Sequence, residues 1–384
     1  MDLIAILDSY NNFKEKQLKT RFLKHHDIVE LMEKLPSAFQ IKQLGSSVKG
    51  KSINLIKWGN GKTKVMLWSQ MHGDEATGTM ALFDLFNFLQ TDNELVQLLA
   101  TNCQLFFIPM VNPDGAAQFT RRNAQQIDIN RDFIQCVSPE AQLLKQCRAD
   151  IEPEFGFNLH DQNTLWSVAE SLKPATLSFL APAIDPALSI DPIREKAMLV
   201  IADIFEAINP LIPGHIGLFD DEFEPRAFGD NFQKAGTSTI LIEAGGYVDD
   251  PEKQEIRKFY FAALLKGLAS ITKKNYLLQN RRGYNFIPKN NKQIFHILIH
   301  GLLLDNVRVS VGINYDECPT ANGMATLKTY SIEDIGDLNF CDAYRTYSSD
   351  VFTLKGNLVF NQQADFELWA EGKLILSFQN GKLL

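Results

Sequence analysis

The stretch INLIKWGNGKTKVMLWSQMHGDEATG (residues 53–78) joins two β-rich runs to a polar turn that carries a histidine and a glutamate. The two runs flank Gly59-Asn60-Gly61, and this pattern predicts a β-hairpin. His72 and Glu75 follow the second run and lie three positions apart. A His-x-x-Glu pair is common by chance. The stretch alone therefore leaves two interpretations open: half of a metal site, or a polar turn before a helix.

Strand-like and helix-like segments alternate beyond this turn. Apolar residues at 82, 85, 86 and 89 have helical spacing, whereas QLFFIPMVN (residues 104–112) is a continuous apolar run of strand length. Two more such runs, FGFNLH (155–160) and TSTILIEAGG (237–246), are separated by the helical pattern of residues 192–209. The alternation predicts an α/β fold with a mixed, mostly parallel sheet flanked by helices.

Three segments are predicted along the chain. Residues 1–35 are charged and helix-prone and form a helical N-terminal extension, and residues 36–275 form the α/β domain. Residues 281–384 contain strand-like runs separated by Asn, Asp and Gly, without a long helical pattern, and form a small, β-rich accessory domain.

Composition narrows the class of protein. The formal net charge of -8, without a Lys/Arg run, argues against nucleic acid as a partner. Five dispersed cysteines fit free thiols in a reducing compartment. We find no signal-peptide pattern and no apolar run near the ~20 residues of a membrane span. A cytoplasmic location without a membrane partner is therefore expected.

Seven histidines are candidates for metal ligands. Those in the charged prefix are expected to be solvated. Those in the β-rich run are expected to be ordinary strand residues, because i and i+4 side chains on a strand lie about 13 Å apart. The histidine after Pro213-Gly214 is open between a structural and a substrate-lining role. The histidines of the charged prefix are His25 and His26, those of the β-rich run are His296 and His300, and the one after Pro213-Gly214 is His215. His72 and His160 remain as candidate ligands.

His72, His160 and Glu243 each lie at or just past the end of a predicted strand. In open α/β sheets the ligand site lies beyond the carboxyl ends of the strands. A catalytic zinc commonly has three protein ligands from His and Glu/Asp and an open fourth position. We therefore expect His72, Glu75 and His160 to bind one Zn²⁺ per chain. Glu243 is the candidate base, although it could instead cap a neighbouring helix.

Six motifs follow one another along residues 70–246: QMHGDEATG, VNPDG, RRN, DINRDF, NLHDQ and TSTILIEAGG. Their order and spacing resemble the zinc carboxypeptidase family (the carboxypeptidase A-like metallopeptidases) over residues 41–270, approximately. The resemblance implies a zinc carboxypeptidase-like catalytic domain at 36–275. It also implies a metallocarboxypeptidase or peptide amidase that hydrolyses an amide bond at a peptide's C-terminal end, with a zinc-bound water activated by Glu243.

The resemblance further implies roles for residues near the zinc ligands. Asp128 corresponds to an acid that hydrogen-bonds the first zinc histidine, His72, and orients it. Arg121 corresponds to the arginine that stabilises the oxyanion, with Arg122 as the alternative if the alignment is shifted by one residue. Asn130 and Arg131 correspond to the pair that grips the substrate's C-terminal carboxylate.

Two departures from the family pattern concern substrate binding. Asp74 stands where the digestive members carry an arginine, and a tyrosine about twenty residues before the base is replaced by Phe219 or Phe223. The acids of the same loop, residues 220–224, suggest a rim that attracts positively charged substrate groups, or simply a solvated loop. Arg131 could likewise form only a surface ion pair with Asp132.

The sequence leaves three functions open. The first is a zinc metallocarboxypeptidase or amidase acting on peptides. The second is an N-acyl amino acid deacylase of the aspartoacylase/succinylglutamate desuccinylase type, which would take an acylated amino acid. The third is a non-catalytic zinc-binding relative. The sequence does not indicate an oligomeric state.

Overall fold

The computed structural model describes residues 3–384. Helices alternate with strands up to about residue 290. Three short 3-10 helices cover Tyr10–Asn12, Ile129–Arg131 and Asn275–Leu278. The α-helices are α1 (Leu3–Asp8), α2 (His25–Glu33), α3 (Thr77–Phe88), α4 (Glu94–Asn102), α5 (Pro113–Gln118), α6 (Pro139–Ile151), α7 (Pro192–Ile208), α8 (Phe228–Lys234), α9 (Gln254–Lys273) and α10 (Arg281–Asn285).

The strands fall into an N-terminal and a C-terminal set. The first set is β1 (Gln40–Ser46), β2 (Ser52–Trp58), β3 (Thr63–Ser69), β4 (Cys103–Ile108), β5 (Phe155–Asp161), β6 (Ser167–Val168), β7 (Leu177–Leu180), β8 (Ile216–Leu218) and β9 (Ser238–Ala244). The second is β10 (Asn290–Asn291), β11 (Ile294–Leu304), β12 (Val307–Pro319), β13 (Thr326–Gly336), β14 (Asp342–Ser348), β15 (Phe352–Asn357), β16 (Asp365–Ala370), β17 (Lys373–Gln379) and β18 (Lys382–Leu383).

An eight-stranded sheet in the order β1-β2-β4-β3-β5-β9-β7-β8 forms the centre of the chain between β1 and α9, which we call the α/β region. Its middle strands, β4, β3, β5 and β9, are parallel, and antiparallel pairs join β1 to β2, β2 to β4 and β7 to β9. Side chains of β3 alternate between two apolar cores: Val65 and Leu67 enter one, Met66 and Trp68 the other. The predicted mixed, mostly parallel sheet flanked by helices is therefore confirmed.

The predicted hairpin between β2 and β3 is wrong, because β4 lies between these two strands and pairs with both. The Gly59-Asn60-Gly61 turn instead wraps around the start of β4, where the amide of Gly61 donates to the carbonyl of Cys103 at 2.9 Å. A Cβ on Gly61 would lie 1.9 Å from the Asn102 carbonyl carbon. The glycine thus serves a close backbone approach and not a two-residue hairpin.

The N-terminal segment is tied to the α/β region by a buried ion pair. Asp84 on α3 accepts hydrogen bonds from Arg257 on α9, from the Tyr10 hydroxyl at 2.6 Å and from the Glu15 amide at 2.7 Å.

His25 differs from the expectation of a solvated side chain. It is partly buried, and its Nε2 lies 2.9 Å from the Ser52 carbonyl oxygen.

Residues 294–383 form two four-stranded sheets, β13-β12-β11-β14 and β15-β16-β17-β18, around their own apolar core. The predicted all-β character of this region is confirmed. We call it the β domain. Boundaries at residues 35, 275 and 281 stay a prediction. Within residues 3–384, no helix is both long and apolar enough to cross a bilayer.

Replacing Asp84 by alanine is expected to destabilise the protein by about 3–5 kcal/mol, because Arg257 would be left buried without its counter-charge. The measurement is the free energy of unfolding in urea. Glu30→Ala is the control, since its ion pair with Lys34 is exposed and should contribute little to stability. Equal losses in the two variants would contradict the role given to Asp84.

His296 on β11 generates a pH dependence of stability. Burial, assisted by the Lys328 ammonium, lowers the pKa of His296 to about 3. Its ring stacks on Tyr315, and its Nδ1 accepts from the Tyr315 amide at 3.1 Å. Between pH ~6.5 and ~3 the unfolded chain binds a proton at this residue that the folded chain does not, so stability falls with acidification in that window.

His296→Gln should therefore reduce the loss of unfolding free energy between pH 6 and pH 4 by about 1 kcal/mol per pH unit, because glutamine does not titrate. Urea unfolding at several pH values measures this slope. The wild-type protein under the same conditions is the reference. An unchanged slope in the His296 variant would refute the assignment.

Candidate functional site

The sheet brings the predicted site residues to one edge. His72 lies in the turn after β3, His160 near the end of β5 and Glu243 near the end of β9. Because β3, β5 and β9 run parallel as neighbours, their carboxyl ends coincide, and His160 is directly opposite Glu243 in the register. Glu75 reaches the same edge from the turn that precedes α3.

His72, Glu75 and His160 form a compact group of metal-ligating type. Nδ1 of His72 lies 2.7 Å from Oε1 of Glu75, and Nδ1 of His160 lies 2.6 Å from Oε2. The candidate donor atoms all lie within 4.8 Å of one another, and all three side chains are buried. Two imidazoles and one carboxylate are a donor set that suits zinc.

Asp128 fixes the orientation of the His72 ring. Its Oδ1 lies 3.1 Å from Nε2 of His72, so in the neutral ring that nitrogen donates its proton and Nδ1 is left as an acceptor. Nδ1 of His72 and the Glu75 oxygen that it faces are then both hydrogen-bond acceptors. A cation or proton beside both atoms offsets this repulsion. The Arg121 guanidinium, 3.1 Å from Nδ1 and 3.3 Å from Oε1, is one such cation, and a metal ion would be another. The arrangement therefore fits a metal ion.

The ionisation of Glu75 follows from the same contacts. Burial raises the pKa of its carboxyl, but the charges and hydrogen bonds of His72 and His160 outweigh burial and bring this pKa well below its usual value. The Asp161 amide also donates to Oε2 of Glu75 at 3.1 Å. Glu75 is therefore held as a carboxylate, the form that binds a metal.

Of the two arginines considered for oxyanion stabilisation, Arg121 faces this group. Its Nε donates to Asp128 at 2.9 Å, and its terminal nitrogen lies 3.3 Å from Oε1 of Glu75. The guanidinium of Arg122 instead donates to the Gln126 carbonyl, and Arg122 is exposed. The side chain of Arg121 is 44% exposed, so it borders the buried group on its open side.

Glu243 is buried, and its Oε2 has no hydrogen-bond partner among residues 3–384. Burial raises the pKa of its carboxyl well above the usual value, and the negative charges of Glu75 and Asp161 add to the effect. Its Oε2 is thus not taken up by a helix cap.

A second buried pair adjoins Glu243 and was missed from the sequence. Nζ of Lys253 lies 3.0 Å from Oδ2 of Asp161 and also donates to the Ala244 carbonyl. Asp161 could have been noticed because it directly follows His160. Lys253 gives no such signal, since it precedes α9 in a charged stretch.

Asn130 and Arg131 are engaged elsewhere. The Asn130 side chain accepts from the Phe228 amide at 3.0 Å, and Nε of Arg131 lies 3.0 Å from Oε2 of Glu224. Arg226 holds the same carboxylate and, through this hydrogen bond, lowers the pKa of Glu224 to about 2. The ion pair considered between Arg131 and Asp132 is therefore wrong.

The acidic loop at residues 220–224 contains a second acid that is paired with an arginine of the chain. Asp221 forms an ion pair with Arg194 at 2.9 Å, as Glu224 does with Arg131 and Arg226. These two acids neutralise arginines of the chain itself. That arrangement does not support a rim that recruits cationic substrates.

The metal-ligating group opens into a cleft of about 800 Å³ that is lined by both the α/β region and the β domain. Asp74, Arg121 and Tyr247 belong to its lining, and burial raises the pKa of Asp74 to about 6.

Two other candidate residues lie outside this lining. Phe219 packs on Trp166. His215, left open above, contacts Thr176 and the Pro174 carbonyl, a structural position.

Fold and site together define an α/β protein with a His-Glu-His metal group at the carboxyl edge of its sheet. Residues 25–172 match the family model described as zinc carboxypeptidase. The resemblance predicted from the sequence motifs is thereby confirmed.

Solved structures show the same fold. A metallo-carboxypeptidase from Burkholderia cenocepacia superposes with a TM-score of 0.54 at 16% identity, covering 66% of this chain and 69% of that one. Bovine thrombin-activatable fibrinolysis inhibitor, in complex with tick carboxypeptidase inhibitor, gives a TM-score of 0.53 at 16% identity, covering 66% and 98%.

Two curated relatives match short stretches of the chain. Carboxypeptidase SOL1 of Arabidopsis thaliana is 40% identical over 67 residues, which are 16% of this chain and 13% of that protein. Probable carboxypeptidase 2 of Trichophyton verrucosum is 27% identical over 100 residues, 26% of this chain and 19% of that protein. The match thus spans about a fifth or less of these relatives.

Asp128→Asn is expected to lower zinc affinity about 10- to 100-fold, because the amide does not hold the His72 ring as strongly as the carboxylate does. Competition against a chromogenic chelator measures the affinity without reference to activity. Asp132→Asn is the matched control, since Asp132 follows the same 3-10 helix but binds Ser138. Equal affinity in wild type and the Asp128 variant would refute the orienting role.

Proposed function

We propose that the protein is a zinc-dependent hydrolase that cleaves an amide bond at the C-terminal end of a peptide, as a metallocarboxypeptidase or peptide amidase. One observation carries the proposal: His72, Glu75 and His160 converge at the edge of a cleft beside Glu243, whose Oε2 has no hydrogen-bond partner among residues 3–384. The family match supports the same class of chemistry. The proposed location is the cytoplasm, and neither nucleic acid nor membrane is a proposed partner.

The ligand set would hold one Zn²⁺ through Nδ1 of both histidines and the Glu75 carboxylate. A bound zinc ion supplies Lewis acidity, which lowers the pKa of water and polarises a carbonyl. Asp128 keeps the His72 ring in the tautomer whose Nδ1 can bind a metal.

Glu243 is proposed as the general base. A carboxylate with a raised pKa is well suited to accept a proton from the attacking water at neutral pH and to return it to the leaving amine. Arg121 borders the same place and would stabilise the negative charge that develops on the carbonyl oxygen.

Asn130 and Arg131 remain the proposed grip for a substrate carboxylate, with one condition. Glu224 already lies against Arg131 and Arg226, as a substrate carboxylate would. A C-terminal carboxylate must therefore displace Glu224 from Arg131 before it binds there. The side chains of Arg131 and Glu224 are 37% and 25% exposed, so the exchange would replace one partly screened ion pair by another.

A second candidate is the N-acyl amino acid deacylase. The observation that favours it is the β domain, which lines the cleft next to Glu75 and narrows the space for a long peptide. A side-by-side assay of N-acyl amino acids and peptides separates the two functions. A non-catalytic zinc-binding relative has less support, since base and ligands lie together.

Glu243→Gln should reduce kcat on the best peptide substrate about 10²- to 10⁴-fold while zinc content stays at the wild-type level, because glutamine cannot accept the proton. Release of C-terminal amino acids from a peptide library and metal analysis by mass spectrometry measure the two quantities. Glu222→Gln, in an exposed loop position, is the control. Full activity in the Glu243 variant would exclude this residue as the base.

A further inference from the structure

The cleft beside the metal-ligating group has two walls. Glu75 and Arg121 belong to the α/β wall, whereas Tyr315, Tyr344 and Arg345 belong to the β domain. Its volume of about 800 Å³ is within the range of roughly 300–1,000 Å³ for small-molecule sites. A substrate whose reacting bond lies at Glu75 and Arg121 therefore meets the β domain with its remaining part.

The β-domain wall is fixed to the loop that follows β5, the strand that carries His160. The Tyr344 hydroxyl donates to the carbonyl of Thr164, four residues after His160, at 2.6 Å. The Thr164 hydroxyl lies 3.0 Å from Nε2 of His296. Tyr344 also lies so close to Gly246 that a Cβ there would be 1.7 Å from the phenolic oxygen. This contact requires a glycine three residues after Glu243.

The N-terminal segment fastens the same wall at the β12–β13 hairpin. Arg21 forms an ion pair with Glu317 at 2.6 Å. Nζ of Lys24 donates to the carbonyls of Ala117, in α5, and Gly323, in the hairpin, each at 2.8 Å. The β domain is thus held to the α/β region by contacts at two separate places along the cleft.

Arg345 on β14 is the cation of this wall with the weakest partner. Its guanidinium lies 3.9 Å from Asp249, and both side chains are mostly exposed, 60% and 80%. Two nearby anions are already engaged: Glu317 by Arg21, and Asp250 by the amides of residues 254–256 at the start of α9. Asp316 is exposed to solvent. Arg345 can therefore bind a substrate anion without breaking a strong interaction.

We propose that the β domain forms the second wall of the substrate cleft and that Arg345 is a specificity-determining residue on it, favouring substrates with an acidic group over those with a basic group on the N-terminal side of the cleaved bond. The inference rests on the proposed function for the position of that bond. It deepens that function by naming the substrate class, short peptides with an acidic residue or acyl group away from the metal.

The test reverses the charge of Arg345. Wild type, Arg345→Glu and the control Arg308→Glu are assayed with zinc on two short peptides that differ only in having Glu or Lys before the C-terminal residue. Arg308 lies in the same β-sheet, is similarly exposed and pairs with Asp350, outside the cleft. Arg345→Glu should shift the ratio of kcat/KM between the acidic and basic peptides about tenfold towards the basic one.

Opposite changes on the two peptides cannot arise from partial unfolding, which would lower both values. A ratio unchanged in Arg345→Glu, or shifted equally in Arg308→Glu, overturns the inference, although activity of the wild type on either peptide still supports the proposed function. If the wild type cleaves neither peptide, the proposed function fails. Calorimetric binding of both peptides then decides the inference, and charge-independent binding overturns it.

Discussion

The structure depends on the compensation of one buried negative charge, that of Glu75. An unpaired carboxylate in an apolar interior is costly, and here two imidazoles, an arginine and a backbone amide surround it. His72 and His160 meet at this carboxylate because β3, which precedes His72, and β5, which carries His160, are parallel neighbours. The sheet order thus has a chemical reason as well as an architectural one, and the buried Glu243 lies beside the same group because β9 is the next strand.

Local patterns were sufficient to predict much of this edge. Apolar runs ending in polar residues indicated β3, β5 and β9, and the coincidence of parallel strand ends brought their last residues together. The hairpin at Gly59–Gly61 failed because the insertion of β4 is a non-local event that turn residues do not report. Likewise, the partner of Arg131 lies ninety-three positions away at Glu224. Side-chain pairing at this distance has no periodic signal in one sequence.

The parts outside the predicted catalytic region bear on the site in different ways. The N-terminal segment supplies Tyr10 to the ion pair between α3 and α9, and it supplies Arg21 and Lys24 to the β12–β13 hairpin. The β domain supplies aromatic and cationic side chains to the cleft. The strand-rich composition of residues 281–384 predicted the class of this region. Its position could not be predicted, because contacts between domains involve isolated residues and no repeating pattern.

Gly246 limits which side chains can occupy two distant positions of the chain. The absence of a side chain at this position makes room for the phenolic oxygen of Tyr344, ninety-eight positions later. A larger residue at 246 would displace either the loop after Glu243 or the β domain, and with it the wall of the cleft. A residue larger than glycine at 246 is therefore compatible with this docking only if position 344 loses its phenol ring, so the loop after Glu243 and the attachment of the β domain depend on each other.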